Sequence, residues 1–158
     1  MKSLSISAAI IGLLSASLAG AGAPADKLPS PGDKCPVCGM FVSKYPDWGA
    51  TLLFKDGTRK YFDGCKDLFK FLSDLKQYAP GRSQSDVDSF SVTDYYAVKA
   101  VDGRAAYYVL GSDVHGPMGK ELVPFANEAE AREFLKDHKG SAVLRYKEIT
   151  PAVLKTLE

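Results

Sequence analysis

Apolar and strand-favouring residues concentrate in two short segments, residues 50–54 and 58–62. The turn between them, Lys55-Asp56-Gly57, predicts an antiparallel hairpin, because glycine accepts the positive φ that such a turn needs. Apolar residues then recur at helical spacing over residues 64–78, and Asp63 stands just before them as a candidate N-cap. The first ordered part of the chain is therefore predicted to be a hairpin followed by a helix.

A similar pattern follows in the second half of the chain. Strands are predicted near residues 92–100, 105–110 and 121–125. A helix is predicted over residues 128–138, with Asn127 as its N-cap. The repetition of strands followed by a helix indicates two related units.

The predicted fold class is α+β, with two related small modules that each pack an antiparallel hairpin or sheet against a helix. Either half alone would have a marginal core, so we expect the two to pack closely. The predicted organisation is a signal peptide over 1–21 with cleavage between 21 and 25, a flexible leader over 22–34, a first module over 35–78, a connector over 79–90 and a second module over 91–158.

The start of the chain has the features of a secretory signal. Lys2 precedes an apolar run over residues 8–18, and small residues follow up to Ala21 and Ala25. The run is short for a membrane span, which needs about 20 apolar residues. We therefore expect export to the periplasm, where unprotected thiol pairs tend to oxidise; an uncleaved anchor is the alternative.

The overall composition excludes several classes of protein. The 158 residues are 46% hydrophobic and 25% charged, which is ordinary for a globular domain and unlike a collagen, a disordered tail or a multi-pass membrane protein. The 20 Lys and Arg residues nearly balance the 19 Asp and Glu residues. Without a basic surplus, we expect no nucleic-acid partner.

The most informative local motif is Cys-Pro-Val-Cys-Gly-Met at residues 35–40. A structural zinc site uses such a cysteine pair but needs two further ligands in paired spacing, and only Cys65, His115 and His138 remain. A thioredoxin-like dithiol would follow a buried strand and open a helix, whereas this motif follows a polar leader. A plain structural disulfide is the third alternative, and all three stay open at this point.

The two methionines that lie beyond the signal segment favour a fourth interpretation, a site for a soft metal ion. Met40 and Met118 each stand beside glycine in a predicted turn, where little packing is available to explain a methionine. Thiolate and thioether sulfurs are the donors that select Cu(I) over zinc. Cys38, Met40 and Met118 are therefore candidate Cu(I) ligands.

An ordered series of short motifs gives the chain a family resemblance. The segments are KCPVCGMFV at 34–42, YFDG at 61–64, VTDYY at 92–96, AYYVLGSD at 106–113, GPMG at 116–119 and PFA at 124–126. The series closely resembles the NosL family of copper-binding accessory proteins for nitrous-oxide reductase maturation in denitrification. The resemblance implies a periplasmic Cu(I) metallochaperone, with the apo-reductase and a membrane transporter complex as its partners.

The family's Cys-Gly-Met motif corresponds to residues 38–40, and its Gly-x-Met-Gly loop corresponds to residues 116–119. The resemblance therefore implies that Cys38, Met40 and Met118 are the metal ligands. Cys35 and His115 are weaker candidates. Cys35 is a spare ligand or a disulfide partner, and His115 lies three residues before Met118. The sequence carries no catalytic triad, paired catalytic carboxylates or phosphate loop, so no enzymatic activity is expected.

One departure from the family concerns the membrane. Many members resemble lipoproteins that are anchored through a cysteine directly after the signal. Here Cys35 follows Gly32, Asp33 and Lys34, which is no lipid-attachment context. We therefore expect a soluble protein, or one held by an uncleaved signal segment, without strong membrane association.

Overall fold

The computed structural model describes residues 27–158, so the predicted signal peptide and its cleavage region lie outside the described residues. The elements combine helices with antiparallel strands, which confirms the predicted α+β class. In chain order they are β1 (Ala50–Phe54), β2 (Arg59–Phe62), α1 (Cys65–Ser73), α2 (Leu75–Tyr78), β3 (Val87–Asp94), β4 (Lys99–Asp102), β5 (Tyr107–Leu110), β6 (His115–Gly116), β7 (Gly119–Lys120), β8 (Val123–Phe125), α3 (Glu128–Asp137), β9 (Ala142–Arg145) and α4 (Pro151–Lys155).

The strands form three antiparallel sheets. The largest has the order β2-β1-β3-β4, the second has the order β8-β5-β9, and β6 pairs with β7 alone. Strand β3 pairs with β1, in a register that places Val92 opposite Ala50 and Phe90 opposite Leu52. All four of these side chains are buried, so the alternation along both strands faces one core.

The sheet pairing differs from the two predicted modules. Residues 79–90 were expected to separate two hairpins, yet β3 and β4 extend the sheet that β1 and β2 begin. The reason is that alternation identifies the buried face of a strand but not its neighbour. The predicted first and second modules, 35–78 and 91–158, therefore do not correspond to separate sheets.

Helix α1 packs against strands β1 and β2 of the large sheet, and Asp67 in its first turn contacts the cysteine motif. Its apolar face is buried, as the helical spacing predicts. Phe62, the last residue of β2, packs edge to face on Phe71 of α1 with ring centroids 5.2 Å apart. This contact positions Asp63 and Gly64, the two residues between strand and helix. A smaller core cluster lies beneath α3 and contains Val109, Val123, Phe125, Ala131 and Phe134.

The helix ends follow local capping rules, with one exception. Asn127 accepts a hydrogen bond from the backbone N–H of Glu130 at 2.9 Å, which confirms the predicted cap of α3. The predicted helix over 64–78 is interrupted at Asp74, whose side chain caps α2. Asp63 is not a cap: Gly64 occupies the N-cap position of α1 and offers no side chain.

Among the residues that the structure describes, no helix has the length and apolar character of a bilayer crossing.

Candidate metal centre

The cysteine motif forms a tight loop that closes on itself. The backbone N–H of Cys35 donates to the Met40 carbonyl at 2.8 Å, and the N–H of Gly39 donates to the Cys35 carbonyl at 2.9 Å. Gly39 has a φ of +78°, a conformation that glycine adopts without strain. The closed loop brings the Cys35 and Cys38 side chains to the same side.

Both thiols face a pair of buried carboxylates. One ligand atom from each of Cys35, Cys38, Asp63 and Asp67 lies within 4.8 Å of the others. The Cys35 thiol donates to Asp67 Oδ2 at 3.2 Å, and the Cys38 thiol donates to Asp63 Oδ1 at 3.3 Å. Cys35 and both aspartates are buried, whereas Cys38 is half-buried. This four-residue group is called the thiol–carboxylate cluster below.

Local structure explains why the two aspartates meet the cysteines. Asp63 follows the end of β2, and Asp67 lies four residues further on, in the first turn of α1. Asp63 precedes the N-cap Gly64 and Asp67 lies within the first turn, so both carboxylates lie at the N-terminal end of α1, where the two thiols contact them. The sequence interpretation assigned Asp63 to capping and overlooked Asp67. Two acidic residues at this spacing, directly after a strand, were the available signal.

One oxygen of the cluster has no partner in the described part of the chain. Asp63 Oδ2 is fully buried there without a hydrogen-bond donor. Leaving a buried carboxylate oxygen unpaired costs free energy, more than for a neutral group. A cation, or a proton displaced from a thiol, would interact favourably with this oxygen. The cluster therefore fits a metal ion, because it offers sulfur and oxygen donors and holds one buried carboxylate oxygen without a partner.

Burial determines the protonation of both thiols. Loss of solvent is the main cause that raises the pKa of the Cys38 thiol to about 12; the carboxylates of Asp67 and Asp63 contribute to the rise, and hydrogen bonds from the Met40 backbone and Cys35 oppose it. Burial also raises the pKa of the Cys35 thiol well above its usual range. At neutral pH both groups are therefore thiols in the metal-free protein, and a metal ion that binds a thiolate must displace a proton.

The second candidate donor region is the hairpin that β6 and β7 form, called the Met118 hairpin below. Met118 stands at its turn, is 45% exposed, and precedes Gly119, which has a φ of +83°. The Lys66 ammonium of α1 donates to the carbonyls of Met118 and Lys120, at 2.8 and 2.9 Å. The hairpin therefore lies against the same first turn of α1 that carries Asp67.

The structure thus distributes the predicted ligands over two neighbouring regions. Cys35 and Cys38 lie together in the thiol–carboxylate cluster, and half-buried Met40 ends their loop. Met118 and His115 lie on the hairpin, where His115 is exposed and pairs with Lys120. Cys35 was a weaker candidate on sequence grounds but is a full member of the cluster.

Two further candidates have other environments. Cys65 is buried in the main core cluster, as expected of a small apolar residue. His138 stacks on Phe134, and its Nδ1 lies 3.1 Å from Asp113 Oδ1. Neither belongs to the thiol–carboxylate cluster.

Comparisons with known proteins identify the family to which the chain is similar. A family model described as NosL matches residues 28–154. The chain is similar to a copper-binding lipoprotein NosL from Stutzerimonas stutzeri, with 31% identity over 129 residues that cover 78% of this chain and 65% of the relative. It spans slightly less than two thirds of that relative's length. The crystal structure of the copper chaperone NosL from Shewanella denitrificans matches with a TM-score of 0.68 and 26% identity, over 80% of this chain and 96% of the other.

Proposed function

This chain belongs to the NosL family, and we propose that it is a periplasmic Cu(I) metallochaperone that delivers copper for the maturation of nitrous-oxide reductase. The observation that carries the proposal is the convergence of two thiols on buried carboxylates, beside a hairpin that exposes a methionine. Sulfur donors of both kinds suit Cu(I), which prefers soft ligands. The names of two relatives, a copper-binding lipoprotein and a copper chaperone, point to the same cargo.

In the proposed bound state, the Cys38 thiolate and the thioethers of Met40 and Met118 hold the ion. Cys35 and His115 are additional donors that could complete the coordination. Copper uptake displaces the thiol proton of Cys38, and Asp63 is the acceptor within hydrogen-bond distance of that thiol. From Asp63, whose Oδ2 is unpaired, the proton passes on to solvent, so ligation by one thiolate releases one proton.

Release requires that a client can reach the ion. Cys38 is half-buried and Met118 is exposed, so this side of the site is accessible to donors on another protein. We propose that copper leaves by exchange of one ligand at a time, without catalytic turnover. The client would be the apo-reductase, and an associated membrane transporter complex would assist it.

Burial of the two thiols beside carboxylates disfavours the dithiol alternative. A disulfide oxidoreductase activates its attacking cysteine by lowering the thiol pKa. In this loop, burial raises the pKa of Cys38 to about 12, which suppresses the nucleophilic thiolate. The carboxylate oxygens of Asp63 and Asp67, in contrast, are donors that zinc accepts, so zinc is the competing ion to test.

The first experiment is an anaerobic titration of the exported chain with Cu(I) in competition with a chelator, and with Zn(II) in parallel. We expect one Cu(I) per chain, bound more tightly than zinc, and weaker binding by Cys38→Ser and Met40→Ala. Cys65→Ala is the matched control, because Cys65 is a buried thiol outside the cluster. Copper binding that survives all ligand substitutions, or a preference for zinc, would contradict the proposal.

A second experiment tests delivery. Copper-loaded chain is mixed with apo-nitrous-oxide reductase under anaerobic conditions, and copper content and reductase activity are measured after separation. We expect transfer from the wild-type chain and little from Cys38→Ser. Copper that remains on the carrier would restrict its role to storage or to another client.

A further inference from the structure

We infer that Lys66 and Glu121 are positioning residues that hold the Met118 hairpin against α1 and so determine whether Met118 ligates the ion. The inference concerns the copper site and rests on the proposed function. Neither residue is offered as a ligand. Their role follows from a reciprocal pair of contacts between the start of α1 and the segment that follows Met118.

The first contact runs from the hairpin segment to the helix. Glu121 is 3% exposed, and its Oε1 accepts hydrogen bonds from the backbone N–H groups of Lys66 at 2.5 Å and Leu122 at 2.8 Å. The first N–H groups of a helix lack partners within the helix, and Gly64 has no side chain to supply one. The Glu121 side chain therefore caps the N-terminus of α1. A capping side chain usually comes from a neighbouring residue, whereas Glu121 lies 55 positions from Lys66.

The second contact runs from the helix to the hairpin. Lys66 is 5% exposed, and its ammonium donates to the two carbonyls on either side of Gly119, those of Met118 and Lys120. A buried ammonium is costly unless its donors are used. These two carbonyls use two of its three donors and fasten the turn that presents Met118.

Glycines at two positions make room for the Glu121 carboxylate. A Cβ placed on Gly64 would overlap Glu121 Oε2, and one placed on Gly116 would lie 3.0 Å from Glu121 Cγ. Gly64 has a φ of −169°, which any residue adopts. A methyl group at Gly64 would therefore act through its contact with Glu121 and not through backbone strain.

These contacts matter because the hairpin has little structure of its own. Strands β6 and β7 are two residues each, and Met118 is 45% exposed. The first turn of α1, in contrast, is tied to the cysteine loop by the contact between Asp67 and Cys35. Lys66 and Glu121 thus link the exposed donor to the same helical turn that orients the buried donors.

The test compares Lys66→Met with Lys70→Met, a matched substitution on the same helix whose lysine contacts Glu158 at 3.2 Å, away from the hairpin. Copper affinity is measured by anaerobic competition, and the number of sulfur ligands by X-ray absorption at the copper edge. Changes to residues that orient metal ligands typically weaken binding by about 10–100-fold. We expect a loss in that range and one fewer sulfur for Lys66→Met, and less than about a twofold change for Lys70→Met.

A double mutant separates positioning from general destabilisation. If Lys66 acts through Met118, then adding Lys66→Met to Met118→Ala should cause no further loss of copper affinity, because the affected donor is already absent. Independent losses in the two variants, or a full sulfur count in Lys66→Met, would overturn the inference. A wild-type chain that binds no Cu(I), or that binds it independently of Met118, would instead refute the proposed function or its ligand set.

Gly64→Ala tests the contact between Glu121 and the start of α1 without changing Lys66. It should displace Glu121, lower the sulfur count and leave Lys66 chemically intact. A cooperative thermal melt of each metal-free variant establishes that it folds. If neither Lys66→Met nor Gly64→Ala folds, the pair is a requirement of the core and the inference fails.

Discussion

The two donor regions of the site are built in opposite ways. The cysteine loop closes through its own backbone hydrogen bonds over the six residues 35–40, and its thiols contact buried aspartates. The Met118 hairpin has only two paired residues in each strand, exposes its methionine, and is fastened by the Lys66 side chain of α1. One region is closed by its own hydrogen bonds and is largely buried, and the other is open.

This difference suits a carrier. In the proposed carrier, the thiols beside the buried carboxylates would retain the ion, whereas the exposed thioether of Met118 would be the ligand that another protein replaces first. Because both regions contact the first turn of α1, a change in that turn would alter retention and release together. The following predictions test the contrast between the two regions.

The largest effect is expected from removing the central thiol. Cys38→Ser should weaken Cu(I) binding by more than the roughly 100-fold that marks the upper end for supporting residues, because it deletes a charged ligand. Competition titration measures the loss, with Cys65→Ala as the control that should keep wild-type affinity. A mild loss would shift the main role to Cys35.

The pH dependence of copper affinity reports how many thiolates bind the ion. The pKa of Cys38 is raised to about 12, so the free thiol is protonated near neutral pH and binding releases a proton. Copper affinity should therefore rise with pH, by about tenfold per pH unit for one thiolate and about 100-fold for two. Titrations between about pH 6 and about pH 8 measure this slope, using a chelator whose own protonation is corrected for.

Cys35→Ser is the matched control for that slope. If Cys38 alone ligates, the slope should be the same in the variant and the wild type. A decrease to about tenfold per unit in the variant would identify Cys35 as a second thiolate. An affinity that does not change with pH would contradict thiolate ligation altogether.

The open region is tested by Met118→Ala. We expect copper affinity to fall by about 10–100-fold, with the melting temperature of the metal-free chain nearly unchanged, since truncating an exposed side chain has little effect on stability. Copper release to an excess of chelator should accelerate by a similar factor. A large drop in melting temperature would indicate that Met118 is instead part of the core.

The smallest effects are expected at the two turn glycines. Gly39 and Gly119 have φ values of +78° and +83°, and a methyl group on either would meet no atom within 4 Å. Alanine at each position should therefore cost a similar free energy of unfolding, about 1–2 kcal/mol, measured by chemical denaturation. Unequal costs would show that the two turns differ in how firmly the surrounding chain holds them.

Local patterns predicted much of this molecule. The strand predicted over residues 50–54 matches β1, and Asn127 caps α3 as expected. Each of these features depends on residues within one helical turn or one strand of each other, so the necessary information is contiguous in the sequence.

Other features required the folded chain. The contact of Asp63 with Cys38 joins residues 25 positions apart, and that of Glu121 with the Lys66 backbone spans 55. The pairing of β3 with β1 also crosses the predicted connector. Nothing in the local pattern distinguishes an aspartate that caps a helix from one that faces a thiol, because both stand just before or within a first turn.

The sequence by itself determined the candidate sulfur donors, the turns that present them, and the α+β class. Only the tertiary structure decided that two buried carboxylates join the thiols, and that a lysine and a glutamate fasten the hairpin. The physical reason is that turn and helix preferences act between near neighbours, whereas burial and the pairing of polar groups depend on which segments the whole chain brings together.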